Sequence, residues 1–477
     1  MKILIIESIW VKPHLETAGE IALDLKKKRQ NIFFSWVGTD LFWNEWEIPK
    51  IARILGGNKN IRIQNFEKIL SDQGINVIKD NYIPNLQNIQ NWSNNFDGNI
   101  VNLKKFKYKN LPLGMGVASS LISFYNNKNP NLKYIKKKVK QLLCTSAFIY
   151  EKTNFLLKNY KPNKIITFNN RFASSLPIIL AAKKNNLEIL RHDRGAKHTK
   201  YYLYKYDIND PRNFKDIKKI DLKNKKKLKI ARGYFNKKFS GSFRDEANKN
   251  FTQKQIKNLL PELPKEKKII TYYTSTEYEQ EAYINLKYKQ SEVFKVFYDC
   301  LNKLKNVHLV IRVHPSQSKK NDYNWMKYKG KNVTLVNSVS KIDTYALMKK
   351  SDIICGYSSR IVLESAYLNI PTISFKDFGW PRKLGILYGE EKKIIKKNIQ
   401  KALKGKIKFD IKKILSVSYF YSTYGIKYKY YKSEAINKGK FLGEELKWKP
   451  NIFEIFENLG FKKLYFNIKK TYNQLIT

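Results

Sequence analysis

The chain has 477 residues, 42% of them hydrophobic, with 92 Lys and Arg against 40 Asp and Glu, a formal charge of +52. That length suits two domains with proper cores, and no apolar run approaches the length needed to cross a bilayer. Three well-separated cysteines, Cys144, Cys300 and Cys355, offer neither metal-ligand spacing nor a disulfide framework, which points to a reducing, cytoplasmic location. The charge invites a nucleic-acid reading, but the lysines are spread along the chain, as in "KNKKKLK", and form no single stripe. No zinc-finger spacing or ribonucleoprotein motif accompanies them, so nucleic acid is not expected as a partner. Most of the charge reads as a solvated face, the rest as a preference for anionic lipid or acidic polysaccharide.

In chain order, "KILIIES" reads as a strand, not a signal peptide, because acidic and aromatic residues follow at once. "TAGEIALDLKKK" is helical in period and "NIFFSWVG" is a second strand. The loop between strand and helix, "WVKPHLETAGE", places His14 and Glu16 where a strand's carboxyl end meets a helix. Further on come "NKIITFNN" (strand), "FASSLPIILAAKKNN" (helix) and "LEILRHDRG" (strand and loop). Residues 205–262 read as polar and helical. "LPELPKEKK", rich in proline and charge, is a linker candidate. A second alternating series follows: "KIITYYTST", "VHLVIRVHP" and "VTLVN" as strands, with a helix near "SEVFKVFYDCLNKLK". "SDIICGYSSRIVLESAYLNIPTISF" then reads as strand, helix, strand, a right-handed crossover of a parallel sheet. The tail is aromatic and lysine-rich, and "NIFEIFENLGFKKLYFNIKKTY" has amphipathic helical character. Packing back on the body and docking at a membrane surface are its two readings.

The expected fold is therefore α/β, with two Rossmann-like domains facing a cleft and a basic, partly helical C-terminal extension. The expected boundaries are 1–262, 263–405 and 406–477.

Three motifs carry chemistry. In "IRVHPSQ", proline ends the strand and leaves His314 at its carboxyl edge, able to donate to a phosphate or protonate a leaving oxygen. In "GYSSR", Gly356 permits close backbone approach, and Ser358 or Ser359 caps the next helix, whose amino end attracts anions. An ordinary serine cap explains that motif equally well taken alone. Glu364 in the same helix is a candidate for a ribose hydroxyl, or a surface glutamate. Arg312 is assigned to the same nucleotide end. In "RHDRGAKH", Asp193 is a candidate general base and Arg194 a bidentate anion ligand, with His192 and His198 as further bases. An internal Asp–Arg pair fixing a loop is the competing reading. Asn170 and Arg171 of "FNNRFASS" fall near Asp193 if their strands are neighbours.

These blocks together resemble bacterial capsule-polysaccharide biosynthesis glycosyltransferases, the Kdo-transferase-like and sialyltransferase-like group of glycosyltransferase B (GT-B) type. "RVHP", "IDTYALMKKSDIICGYSS" and "ESAYLNIPTISF" carry the resemblance in the second half, "FNNRFASSLPIILAA" and "RHDRGA" in the first, and "YYTSTEYE" where the second domain opens. The sequence departs from the family's usual pattern at Asp193, where relatives carry Glu, and at Asn170, where they carry Gly. The resemblance implies that His314 and the pair Ser358–Ser359, with Gly356, hold the donor's phosphate, and that Asp193 acts as base. Arg194, Asn170, Arg171, His14 and Glu16 then meet the acceptor.

The resulting expectation is a metal-independent transfer from a CMP- or UDP-linked sugar to a capsule or lipopolysaccharide glycan. No resident cofactor is expected, since no Asp-x-Asp motif occurs. The expected partners are the nucleotide sugar, a glycan or glycolipid acceptor, and an anionic membrane face touched peripherally. The alternatives are a nucleotide-sugar 2-epimerase, a CDP-polyol phosphotransferase and a non-catalytic glycan-binding component of capsule assembly.

Overall fold

A computed structural model describes residues 1–48, 57–208, 210–240, 255–276, 288–315, 317, 324–377, 379–405 and 407–448. Two compact units emerge, one from residues 1–208 and 425–448, the other from 210–424. Each is a Rossmann-like α/β unit built on its own sheet, parallel throughout in the second unit and parallel except at β6 and β13 in the first.

The first unit contains strands β1 (Lys2–Glu7), β2 (Asn31–Trp36), β3 (Asn76–Ile78), β4 (Lys164–Phe168), β5 (Glu188–Arg194) and β6 (Lys200–Tyr204). Its helices are α1 (His14–Lys27), α2 (Lys59–Asp72), α3 (Leu86–Asn94), α4 (Ile100–Lys105), α5 (Leu113–Tyr125), α6 (Lys136–Tyr160) and α7 (Leu176–Lys184). The second unit contains β7 (Lys268–Tyr273), β8 (Val307–Arg312), β9 (Val333–Val336), β10 (Ile353–Gly356), β11 (Thr372–Ser374) and β12 (Leu387–Tyr388). Its helices are α8 (Lys225–Phe239), α9 (Gln290–Leu301), α10 (Thr344–Lys350), α11 (Ile361–Tyr367), α12 (Lys392–Leu403) and α13 (Ile411–Thr423). The chain then adds β13 (Ile426–Lys427), β14 (Tyr431–Ala435) and β15 (Lys438–Phe441) to the first unit.

The strand orders are β13-β6-β5-β4-β1-β2-β3 and β12-β11-β10-β7-β8-β9. In both, the chain builds outward from a central strand in one direction, then returns to build in the other. The reversal falls between β1 and β4 in the first sheet and between β7 and β10 in the second. Crossovers leave in opposite directions at such a point, which opens a crevice at the carboxyl ends of the strands.

Period-two alternation explains the layering. Ile3 and Ile5 of β1 pack with Leu15, Ala18 and Ile21 of α1, while Leu4 and Ile6 pack on the other face with Ala147 and Phe148 of α6. In the second sheet Ile270 and Tyr272 meet Phe294 and Phe297 of α9, and Ile269 meets Leu347 of α10.

The division of the chain differs from the expected boundaries. The described residues between 210 and 262 belong with the second unit, because α8 packs on α13: Ser418 donates to the Ala231 carbonyl at 3.0 Å, within an apolar cluster shared by Phe235, Val362 and Ile414. Nor do the described residues after α13 form the expected helical extension. After α13 the described residues form short strands that return to the first unit, and β13 pairs antiparallel with β6. The return is held chiefly by Glu20 of α1, which accepts the backbone N–H groups of Lys429, Tyr430 and Tyr431 at 2.7, 2.7 and 2.9 Å. Phe441 of β15 packs so close to α1 that a Cβ at Gly19 would lie 2.6 Å from its ring. The amphipathic segment expected at 451–472 lies outside the described residues.

Candidate functional site

In the second unit, β7 lies between β8 and β10, so three strand ends are neighbours. Thr274 and Ser275, directly after β7, tie them together. The Thr274 hydroxyl accepts the His314 backbone N–H at 2.8 Å, and the Ser275 hydroxyl accepts that of Ser358 at 3.0 Å. The Ser275 backbone is clamped in turn. Gln290 accepts its N–H at 2.7 Å, and Gln290 and Gln317 donate to its carbonyl at 3.1 and 2.9 Å. The structure thus brings His314 and Ser358 to one place through residues that the sequence reading did not single out. A signal was present: three consecutive hydroxyl residues, Thr274 to Thr276, follow an apolar strand directly.

His314 differs chemically from the expectation. Burial, and then the nearby Arg312 charge, lower its pKa to about 4. At neutral pH the ring is uncharged, so it can donate a hydrogen bond to a phosphate oxygen but does not arrive as a protonated acid. Ser359 accepts from the Ile361 N–H at 3.3 Å, but the residue at the N-cap of α11 is Arg360 and no side chain caps it, so neither serine is the expected cap, and the helix has only seven residues. The helix-end attraction for an anion is smaller than a longer helix would provide. Gly356 brings β10 against the start of α11: an added Cβ would sit 3.1 Å from Val362 Cγ1.

Glu364 and Arg312 are engaged internally. Glu364 is 1% exposed, pairs with Lys238 of α8 at 3.0 Å and accepts from the Tyr345 hydroxyl at 3.1 Å. A ribose hydroxyl would have to displace Lys238 or Tyr345, so the ribose role is corrected to a buried tie between α11, α8 and α10. Arg312 is buried and donates to the Asn337 carbonyl at 2.6 Å, which joins the ends of β8 and β9.

In the first unit, the strand ends of β1, β4 and β5 converge. β4 and β5 are neighbours, as the sequence reading required, and Asn169 donates to Asp193 Oδ2 at 2.9 Å. The other oxygen, Oδ1, accepts the Arg194 backbone N–H at 2.7 Å. Burial raises the Asp193 pKa, against the lowering effect of these bonds and of His192 and Arg194. "RHDRGAKH" is less a loop than a tight reversal, because β5 runs on to Arg194 and β6 returns antiparallel, with Asp193 opposite Tyr202. The strap from the C-terminal part touches this reversal twice. Arg194 donates to Asn437 Oδ1 at 2.9 Å, and His198 Nδ1 lies 3.0 Å from the Ser433 hydroxyl.

His14 joins the same group from the first turn of α1, its ring 4.0 Å from that of Phe168. Burial, followed by the charges of Arg194 and His192, holds its pKa well below the usual value. Asn170 bonds through its backbone to Asn169 Oδ1 at 2.6 Å, and the Arg171 guanidinium lies 4.3 Å from the Phe172 ring centroid. Glu16 does not belong to this group. It is 1% exposed and paired with Arg62 of α2, which also donates to the Trp10 carbonyl at 2.8 Å and to the Leu446 carbonyl. Its acceptor-binding role is corrected to that of an internal ion pair joining α1, α2 and the C-terminal strap. Glu7, which the sequence reading passed over, closes the end of β1. It is fully buried, its Oε1 lies 2.5 Å from His192 Nε2, and burial raises its pKa. Its signal was a lone acid ending the apolar run "KILII".

Among the described residues no three His, Cys, Asp or Glu side chains form a metal-holding group, and no helix is long and apolar enough to cross a membrane.

Residues 245–423 match the UDP-N-acetylglucosamine 2-epimerase family. The match covers less than half of the chain and takes in the strand ends that carry Thr274, Ser275, His314 and Ser358. Curated protein sequences give no match. Solved structures with some likeness include the UDP-GlcNAc 2-epimerase of Methanocaldococcus jannaschii in complex with UDP-GlcNAc and UDP, at 13% identity and a TM-score of 0.30 over 87% of this chain and 98% of that one. The Neisseria meningitidis UDP-GlcNAc 2-epimerase bound to UDP-GlcNAc has 12% identity and a TM-score of 0.26 over 87% and 98%. KpsC of Thermosulfurimonas dismutans, a β-Kdo 2,4 transferase, has 11% identity and a TM-score of 0.35 over 54% and 87%. At these scores the structural likenesses bear on neither substrate nor reaction.

Proposed function

We propose that the protein is an enzyme acting on a nucleotide-activated sugar, and that 2-epimerisation of a UDP-linked sugar is its leading reaction. The observation behind this reading is the epimerase-family match over residues 245–423. It falls on the segment where Thr274, Ser275, His314 and Ser358 meet at a sheet's point of reversal. In this reading the diphosphate lies against the backbone and hydroxyl donors of the second unit. His314 donates to it as a neutral ring, and stabilisation comes from these preorganised dipoles without a resident metal. The protein works in the cytoplasm.

Sugar transfer, the reaction that the sequence motifs resemble, is the second reading. It is favoured by Asp193, a carboxylate held at a strand end by Asn169 and flanked by Arg194. There Asp193 would take the acceptor's proton, Asn170, Arg171 and Arg194 would meet a glycan, and an anionic membrane would present the acceptor.

One experiment separates the two. The protein is incubated with UDP-GlcNAc, with and without a glycan acceptor, and the sugar nucleotides are resolved by NMR. A new C2 epimer formed without acceptor is the expected result. UDP release that requires acceptor would replace epimerisation by transfer. Loss of one phosphate donor costs about 10²–10³ in rate, so His314→Ala should fall by that factor.

A further inference from the structure

Four buried polar atoms at the carboxyl edge of the first sheet have no hydrogen-bond partner among the described residues: Glu7 Oε2, Asn170 Oδ1, His192 Nδ1 and Arg194 Nε. They come from the ends of β1, β4 and β5, the place where this sheet reverses direction. Buried polar groups are nearly always paired, so an unmatched set on adjacent strand ends points to a ligand that completes it. The set is chemically mixed. The carboxylate and amide oxygens accept, the guanidinium nitrogen donates, and the ring nitrogen does whichever its tautomer allows. Neighbouring hydroxyl groups, each both donor and acceptor, match such a set. An aromatic wall stands beside it: Phe168 lies 4.0 Å from His14 and 5.7 Å from His192, ring to ring.

The ring nitrogens of His192 are not equivalent. Nε2 is 2.5 Å from Glu7 Oε1, and both residues are 0% exposed. Where Glu7 Oε1 accepts from an Nε2–H, the neutral ring carries its lone pair on Nδ1. Asp193, by contrast, already has both oxygens engaged, by Asn169 and by the Arg194 backbone.

We propose that these strand ends form a subsite for sugar hydroxyl groups, in which His192 Nδ1 takes the proton of one hydroxyl and Glu7 fixes the tautomer that leaves Nδ1 free. The inference rests on the nucleotide-sugar reading. In the step, the Nδ1 lone pair forms an N–H bond as the O–H bond breaks, and the electron pair stays on the sugar oxygen. The imidazolium charge lies against Glu7, and the proton returns by the reverse path. Glu7 is a positioning residue. Among the described residues, His14 from α1 and Asp193 from its own strand also face His192, and Arg194 lies beside both of them.

The chain has only five histidines, so imidazole ¹⁵N signals can be assigned from single His→Gln variants. In the free protein His192 should show one neutral tautomer, with the proton on Nε2. UDP-GlcNAc should move its Nδ1 signal, and UDP alone should not. Glu7→Gln, with the fold checked by circular dichroism, should give a mixture of tautomers. Asn170→Ala should weaken UDP-GlcNAc binding about tenfold and leave UDP binding unchanged. A proton on Nδ1 in the free protein overturns the inference. So does UDP-GlcNAc that raises the melting temperature without moving His192. If UDP-GlcNAc does not raise the melting temperature, the nucleotide-sugar reading fails instead. The subsite then stands only if free N-acetylglucosamine moves the Nδ1 signal, and falls if it does not.

Discussion

His314 and His14 are held neutral by burial below the range where an exposed histidine titrates. Unfolding releases both rings, so between the folded and unfolded pKa values the unfolded state binds more protons and stability falls as pH falls. For His314 the window runs from the ordinary 6.5 down to about 4. Its full loss is about 3 kcal/mol, reached below the lower value. Denaturant unfolding at pH 7 and pH 5 should show the protein weaker at pH 5, and His314→Gln should reduce that difference. Equal pH dependence in the two proteins would count against a neutral His314. The Glu16–Arg62 pair makes a different prediction. Both side chains are at most 1% exposed, so removing one strands a buried charge at a cost of about 3–5 kcal/mol. The double variant Glu16→Ala/Arg62→Ala should therefore be destabilised by less than the sum of the two single variants, a coupling that a double-mutant cycle measures.

At the scale of elements, the decisive contacts are caps and clamps. Asp343 accepts the N–H groups of Tyr345 and Ala346 at 2.8 and 3.2 Å and so starts α10, the helix that packs Leu347 under β7. Asp343→Ala should cost about 1 kcal/mol by denaturant unfolding. Glu20 has the larger task, because three backbone donors of the returning strap converge on one carboxylate. Glu20→Ala should cost about 2–4 kcal/mol and speed hydrogen exchange at Lys429, Tyr430 and Tyr431, while exchange in β7 and β8 stays slow. Unchanged exchange at those amides would show that the strap is held elsewhere. Since Asn437 and Ser433 of the strap contact Arg194 and His198, its loosening should also reach the β5–β6 reversal.

For the whole molecule, two sheets with the same order of construction place a reversal point in each unit. UDP should slow hydrogen exchange at the ends of β7, β8 and β10 and leave β1, β4 and β5 unchanged; protection confined to the first unit would remove the nucleotide from its assigned place. Much of this architecture was legible in the amino-acid order. β1, β2, β4, β5, β7, β8 and β10 are short apolar runs with turn residues at their ends, and local hydrophobic patterning of that kind follows from nearest neighbours along the chain. His314, Ser358 and Asp193 were visible for a related reason: polar residues that end an apolar strand stand out. Three things were decided only by tertiary structure. Glu16 and Glu364 looked like free acids, but their partners Arg62 and Lys238 lie far away in sequence. The strap's return to the first unit depends on Glu20 meeting amides some four hundred positions later. The pairing of Glu7 with His192 needs β1 and β5 on either side of β4, an order set by crossover connections. Local sequence determines which segments become strands and helices because periodicity and capping are short-range. Which charges end up buried together depends on sheet order and on desolvation, and both arise only when distant segments pack.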